Sequence, residues 1–290
     1  MLRCYPISGM FHQKSTARWS KSLSVSLLSP ISSTTFHSQS IKSSVLPTNR
    51  DSPLTGLESV MVDYIFGKKK ATEVAHSVWK HVIQKGDTVV DATCGNGHDT
   101  LAMVNMVSET DKSHGGHVYA MDIQETALKN TMSLLDASLH PNQKEIVKLF
   151  ATCHSEIEQV VPKGATVRVV AFNLGYLPGG DKTVITKPET TLLGMMAASR
   201  VVISGGVISM LVYVGHPGGM DEYEKVETFA CGLAVDAWIC CKLQMLNRPL
   251  APVLFLLCKR RDRFDTKRPN ADLGLQQLQY QSKKDLDKNI

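Results

Sequence analysis

Asp91-Ala-Thr-Cys-Gly-Asn-Gly97 sets a carboxylate at the end of a short β-branched run and two glycines, one residue apart, just after it. Glycine permits a tight turn and lets the backbone approach a ligand with no Cβ in the way, so the segment reads as a loop that receives a nucleoside cofactor. Asp122 ends the next strand-like run roughly 30 residues on, where a carboxylate can accept hydrogen bonds from both hydroxyls of a ribose. A pyrophosphate-binding loop calls for a third glycine, but Gly95-Asn-Gly97-His-Asp-Thr100 has Thr100 there and Asp99 at the helix entrance. An anion at that point opposes a pyrophosphate and tolerates a cationic, phosphate-free ligand, which favours S-adenosylmethionine over a dinucleotide. Asp91, Thr93, Gly95, Asn96, Gly97, Asp99, Asp122 and Gln124 are the candidate cofactor-binding residues of this stretch. Asp91 could instead cap the following helix, and Cys94 reads as a small residue with no base nearby to activate it.

A second constellation, Asn173-Leu-Gly-Tyr176, follows the fourth strand-like run. An Asn side-chain carbonyl and the next backbone carbonyl can accept hydrogen bonds from an amine and aim its lone pair at a methyl donor, while Tyr176 can stack on a base. A glycine turn with a buried tyrosine is the plainer alternative. Asp181, at the end of the same glycine-rich loop, could take or position the amine proton. The candidate catalytic residues are therefore Asn173, Tyr176 and Asp181.

The elements that position these residues alternate between strand and helix. Residues 57–84 show helical spacing through Val74, Ala75, Val78, Trp79 and Val82, and 88–90 form a short strand. Residues 99–107 are helical, 117–122 a second strand, 125–139 a helix, 146–150 a third strand and 157–161 a short helix. A fourth strand at 166–172, a helix at 192–202, a fifth strand at 206–214 and a helix at 221–233 continue the pattern. Strands at 237–246 and 252–258 have no helix between them and should form an antiparallel hairpin at the edge of the sheet. The expected fold is a Rossmann-like, doubly wound α/β architecture whose mostly parallel seven-stranded sheet ends in that hairpin.

The first fifty residues differ from the rest. They carry Arg3, Lys14, Arg18, Lys21, Lys42 and Arg50, are crowded with serine, and have no acidic residue before Asp51. That is the composition of an organellar transit peptide, placed at 1–52, with the serine and threonine density favouring the chloroplast over the mitochondrion; a plain serine-rich tail is the alternative. Without these six positive charges the formal +5 becomes about −1, so the basic balance belongs to the leader. Nucleic-acid binding must then rest on a local patch, for which Lys259, Arg260, Arg261, Arg263, Lys267 and Arg268 qualify, a solvated tail being the alternative. No apolar run is long enough to cross a bilayer. Seven cysteines with no Cys-x-x-Cys pair indicate neither a zinc site nor a disulfide framework.

Asp91-Ala-Thr-Cys-Gly-Asn-Gly-His-Asp-Thr100, Asp122-Ile-Gln124, Cys153-His-Ser-Glu156, Asn173-Leu-Gly-Tyr-Leu-Pro-Gly-Gly-Asp181 and Tyr213-Val-Gly-His-Pro-Gly-Gly219 together resemble the bacterial rRNA methylase family, which includes a methyltransferase of wobble aminomethyl-thiouridine in tRNA. The resemblance spans about 57–259 and implies a class I methyltransferase domain at 57–260 with a polar tail at 261–290. It implies further that Asn96, Gly97 and Asp99 line the methionine end of S-adenosylmethionine, that Asp122 and Gln124 hold ribose and adenine, and that His154 and Ser155 flank the adenine. Asn173 and Tyr176 would face the substrate amine. A structural hydrogen bond is the alternative for His154, and a stabilised turn explains His216 nearly as well as a ligand role. The implied partner is a tRNA anticodon stem-loop, with no metal and no membrane, and with a homodimer left open. Methylation of rRNA or of a small amine, and a non-catalytic RNA-binding relative, remain alternatives.

Overall fold

The computed structural model of the chain describes residues 56–108 and 116–261. The leader at 1–52, the tail beyond 261, and Arg263, Lys267 and Arg268 of the basic patch lie outside the described residues.

Seven strands form one sheet: β1 (Thr88–Asp91), β2 (His117–Asp122), β3 (Val147–Ala151), β4 (Val167–Asn173), β5 (Val202–Val212), β6 (Trp238–Leu243) and β7 (Val253–Lys259). Their order is β3-β2-β1-β4-β5-β7-β6. The first five run parallel and β7 pairs antiparallel with both β5 and β6, so the late hairpin closes one edge with β7 on its inner side. From β1 the chain winds outward through β2 and β3, then returns to place β4 on the other side of β1. That reversal opens a crevice at the carboxyl ends of β1 and β4, where open α/β sheets take ligands.

Among the described residues, eight α-helices complete the layers: α1 (Leu57–Ile65), α2 (Ala71–Val82), α3 (His98–Val107), α4 (Glu125–Ser138), α5 (Pro141–Lys144), α6 (Ile157–Val160), α7 (Pro188–Val201) and α8 (Gly219–Gly232). β4 shows why both faces must be covered. Val170 and Phe172 join one core with Met195 and Ala198 of α7 and Val226 of α8, while Val169 and Ala171 join the other with Val74 and Trp79 of α2, Met103 of α3 and Leu135 of α4. A parallel strand with apolar residues on both faces is stable only between two covering layers.

Among the boundaries that differ from the sequence reading, three have a clear local cause. Residues 57–84 divide into α1 and α2, because Gly67 takes a left-handed φ of 71° and α2 restarts at its own cap, where Lys70 N donates to Glu73 Oε2 at 2.9 Å. Helical spacing persists across the break because both helices present apolar residues to the same core. α7 begins at Pro188, four residues before its periodic apolar face, since proline needs no intrahelical acceptor in the first turn. β5 begins at Val202 and absorbs a register irregularity against β4 near Gly205, whose φ is 77°.

At the base of the sheet, away from the crevice, Arg168 of β4 forms a forked ion pair with Asp87, Nε to Oδ2 at 2.9 Å and a terminal nitrogen to Oδ1 at 3.3 Å. It clamps the start of β1 to β4.

Candidate functional site

The loop after β1 is fixed by backbone contacts to both neighbouring strands: Ala92 N donates to Ala171 O and Cys94 N to Met121 O, each at 2.8 Å. Gly95 N donates to Asp122 Oδ2 at 3.1 Å, and Gln124 N to Asp122 Oδ1 at 2.9 Å. Asp122 is thus oriented by one backbone N–H on each oxygen, each retaining a lone pair for another donor. Its carboxyl is raised above the ordinary range by burial, which outweighs the opposing backbone N–H groups of Gln124, Gly95 and Ile123.

A cavity of about 670 Å³ occupies the crevice. Thr93, Gly95, Asn96, Asp99, Asp122, Gln124, His154, Asn173 and Tyr176 all line it, so nine of the thirteen residues expected from the sequence meet in one place. The other four do not line it. Asp91 is 1% exposed and lies behind the loop, where it accepts from Thr100 Oγ1 at 2.5 Å and Thr93 N at 3.3 Å. Burial, with Asp99 adding to it, pushes its carboxyl up to about 7. Gly97 has φ 86°, and a Cβ built on it would lie 2.9 Å from Thr131 Cα, so its glycine serves the close approach of α3 to α4. Ser155 turns its hydroxyl to Glu156 Oε1 at 3.3 Å. Asp181 accepts from Thr183 N at 2.8 Å and Thr183 Oγ1 at 2.7 Å, contacts that hold its carboxyl below the ordinary range in an exposed turn. An exposed, strongly acidic carboxylate outside the cavity does not suit the proton-accepting role expected of Asp181.

Asn173 ends β4 with its backbone N donating to Thr93 Oγ1 at 2.7 Å. Its side-chain nitrogen donates to Asp99 Oδ2 at 3.2 Å, and the other Asp99 oxygen lies 2.6 Å from His76 Nε2. Beyond it, residues 174–187 fold back on themselves: Tyr176 bridges Ile185, Thr186 N donates to Gly175 O at 2.9 Å, and Gly175 N donates to Thr186 Oγ1 at 2.9 Å. Tyr176 remains 41% exposed at the cavity, with His216 edge-on at 6.3 Å and Lys182 Nζ 5.6 Å from its ring centre. Asn96 ties this segment to the first loop, donating from Nδ2 to Pro178 O at 3.0 Å and accepting from Asn130 Nδ2 at 2.9 Å. His154 is buried edge-on against Phe172, its Nε2 3.5 Å from Thr191 Oγ1, and burial lowers it to about 4, so it is neutral near pH 7.

The sequence reading missed several participants. Glu222 of α8, fully buried, accepts from Thr191 Oγ1 at 2.6 Å and Thr186 Oγ1 at 2.9 Å, anchoring the 174–187 segment; burial raises its carboxyl. A glutamate in an amphipathic helix looks solvent-facing until the fold is known. His76, Tyr213, Lys70 and Lys187 were also missed. The last three line the cavity from three separate parts of the chain. Cys94 is buried and its thiol is pushed up by that burial, which keeps it protonated. In the basic patch, Lys259 Nζ donates to Ser199 O and Val202 O at 3.0 and 2.8 Å, a structural use of its charge.

The donor set fits a nucleoside carrying a cation. Asp122 stands at the ribose position after β2, Ile123 beside it is 58% exposed and lines the cavity as an apolar surface for a base, and Asp99 adds a carboxylate at the N-terminus of α3. Asp99 occupies the helix end that would bind a pyrophosphate and disfavours one at that point.

Comparisons with known proteins agree with this geometry. The family described as "Putative rRNA methylase" matches residues 118–259. A chloroplastic tRNA (mnm(5)s(2)U34)-methyltransferase of Arabidopsis thaliana is 60% identical over 212 residues, covering 73% of this chain and 77% of the relative. A crystal structure described as a "putative rRNA-methylase" from Clostridium thermocellum is 34% identical with TM-score 0.60, covering 66% of this chain and 98% of that one. A Streptococcus mutans methyltransferase, solved in complex with SAH, is 32% identical with TM-score 0.55 and the same coverage, 66% and 98%. With a crevice at the β1/β4 reversal, an asparagine ending β4 within it, and similarity of this extent, the chain belongs to the rRNA methylase family of class I methyltransferases.

Proposed function

We propose that this protein is an S-adenosylmethionine-dependent methyltransferase that N-methylates the aminomethyl group of 5-aminomethyl-(2-thio)uridine at the wobble position of tRNA. The observation that carries the reading is Asn173. A carboxylate accepts and does not donate, so the Asn173 nitrogen faces Asp99 and its carbonyl oxygen is the atom left for a donor in the cavity. An amine nucleophile supplies that donor.

When bound, S-adenosylmethionine supplies an electrophilic methyl group on a sulfonium. Asp122 accepts the ribose hydroxyls, Ile123 and Gln124 border the adenine, and Asn96 and Asp99 border the methionine end. Asn173 accepts an N–H of the amine and turns its lone pair toward the methyl carbon, while Tyr176 stacks on the pyrimidine. Lys70, Lys182 and Lys187 around the mouth suit the phosphates of an RNA strand. The carboxylates deeper in the cavity suit the cationic groups of cofactor and substrate.

The named activity of the 60% identical relative supports the wobble nucleoside as acceptor, and its chloroplastic location supports import into an organelle, the chloroplast in particular. The serine-rich, basic composition of 1–52 is consistent with a leader, with 57–260 the methyltransferase domain and 261–290 a tail. The test is calorimetric titration with S-adenosylmethionine followed by methyl transfer to aminomethylated and unmodified anticodon stem-loops, read by nucleoside mass spectrometry. Methylation of only the aminomethylated stem-loop is expected; a product mass on another nucleoside, or none, overturns the assignment.

A further inference from the structure

Asn173 does not hold its own orientation. A primary amide is nearly symmetric in shape, and a half-turn about its last bond would present NH2 to the cavity in place of the carbonyl. What prevents this is Asp99, and what holds Asp99 is His76, which lies on α2, outside every motif of the sequence. Asp99 Oδ1 lies 2.6 Å from His76 Nε2, and Asp99 Oδ2 accepts from Asn173 Nδ2 at 3.2 Å. The carboxylate can only accept, so His76 Nε2 carries a proton and donates it. The chain of donors therefore runs one way, from His76 and from Asn173 onto Asp99, and leaves Asn173 Oδ1 turned away from Asp99.

The chain is well enclosed at its centre: the Asp99 side chain is 11% exposed and that of His76 26%. The ring of His76 packs on Trp79 at 4.7 Å between centroids, which fixes its plane. At the other end Thr93 fixes the Asn173 backbone. Three elements, α2, α3 and β4, thus converge on one amide.

We propose that His76 and Asp99 are positioning residues that determine the acceptor chemistry of the site, by locking Asn173 with its carbonyl toward the substrate. Locked this way, Asn173 accepts from a nucleophile bearing N–H groups and itself presents no donor to a carbonyl oxygen or other pure acceptor. The inference rests on the proposed amine methylation and goes beyond it, assigning a role to a histidine remote from the cofactor loop.

The decisive experiment exchanges the partners while keeping the geometry. In Asp99→Asn the replacement amide can still accept from His76 Nε2, but its NH2 then meets the NH2 of Asn173; Asn173→Asp alone sets two carboxylates against each other. In the double variant, the amide at 99 accepts from His76 and donates to the carboxylate at 173, whose second oxygen faces the amine as an acceptor. Each single substitution should lower kcat on an aminomethylated stem-loop on the order of 10-fold to 100-fold, the range for a misaligned reacting group. The double variant should recover at least about 10-fold over either single change, a coupling that independent sites would not show. His76→Leu should lower kcat with KM for the stem-loop nearly unchanged, and His76→Gln, which can donate to Asp99, should restore most of it. S-adenosylmethionine affinity, measured by calorimetry, should stay within about threefold for the His76 variants, and side-chain amide signals of Asn173 in nitrogen-15 spectra should shift in His76→Leu but not in His76→Gln.

Additive losses in the double variant, or full activity in His76→Leu, would overturn the proposal. Inactivity of the parent protein on the aminomethylated stem-loop would overturn the proposed function instead. The amide signals test the lock without turnover: unshifted Asn173 signals in His76→Leu overturn it whatever the substrate proves to be.

Discussion

Replacing Asp91 by Asn should make this protein more stable above pH 7, although Asp91 belongs to the most recognisable motif in the chain. The carboxyl is 1% exposed and is pushed up from 3.8 to about 7, first by burial and then by the nearby charge of Asp99. The folded protein therefore binds a proton at Asp91 that the unfolded chain releases between about pH 4 and pH 7. Stability falls as pH rises through that window, because the unfolded state binds fewer protons than the folded one. Once the pH exceeds both values, keeping the carboxylate ionised in that enclosure costs on the order of a few kcal/mol. Asn carries no charge to desolvate. It can keep the hydrogen bond from Thr100 Oγ1 but turns a donor toward Thr93 N, a loss of about 1 kcal/mol. Asp91→Asn should thus be more stable than the parent at pH 8, by on the order of a few kcal/mol, and the gain should shrink markedly at pH 5, where most of the penalty is absent. Urea denaturation at the two pH values, with midpoints and slopes compared, measures this directly. A variant less stable than the parent by the same amount at both values would refute the reasoning, since the carboxylate would then be a net stabiliser and its burial no burden.

The same titration bears on the cofactor: a cationic ligand beside Asp99 favours ionised Asp91, so S-adenosylmethionine affinity should rise as pH increases through about 7, with proton release seen by calorimetry in buffers of different ionisation enthalpy; pH-independent affinity would contradict it. Gly97→Ala adds a Cβ 2.9 Å from Thr131 Cα at a φ of 86°, and should cost on the order of 2 kcal/mol or more in thermal or urea unfolding. Arg168→Ala leaves Asp87 without its forked partner at the base of β1 and should lose about 3 kcal/mol while S-adenosylmethionine affinity is retained. Lys70→Ala and Lys187→Ala should each lower the slope of log affinity against log salt for a stem-loop by about 1, and leave methylation of the free aminomethyl nucleoside unchanged.

Much of the site was legible because its residues sit at strand ends. Asp122 and Asn173 end short, mostly apolar runs whose length and flanking turn residues mark them as strands, and in a doubly wound sheet those ends converge whatever lies between. Where direction mattered, adjacency misled. Ser155 follows His154 in the chain, yet a turn of 3-10 helix points its hydroxyl to Glu156, and Asp181 closes the Asn173 loop but spends its carboxylate on Thr183. Gly97 was read as room for a ligand and is room for Thr131. Loop residues have no period from which their facing could be inferred, and glycine looks the same whichever neighbour requires it.

The sequence alone determined the alternation of elements, the parallel sheet with its terminal hairpin, and the two loops that meet at the crevice, because hydrophobic period and glycine spacing are local properties. Tertiary structure decided which charges are buried and what they touch. Asp91, Asp99 and Glu222 carry the same functional group, yet one lies behind the loop, one joins His76 to Asn173 and one anchors the 174–187 segment. Those differences come from partners such as Thr100, His76, Thr186 and Asn173, up to 74 residues away in the chain, and a carboxylate's environment is set by what surrounds it in space, which no local pattern encodes.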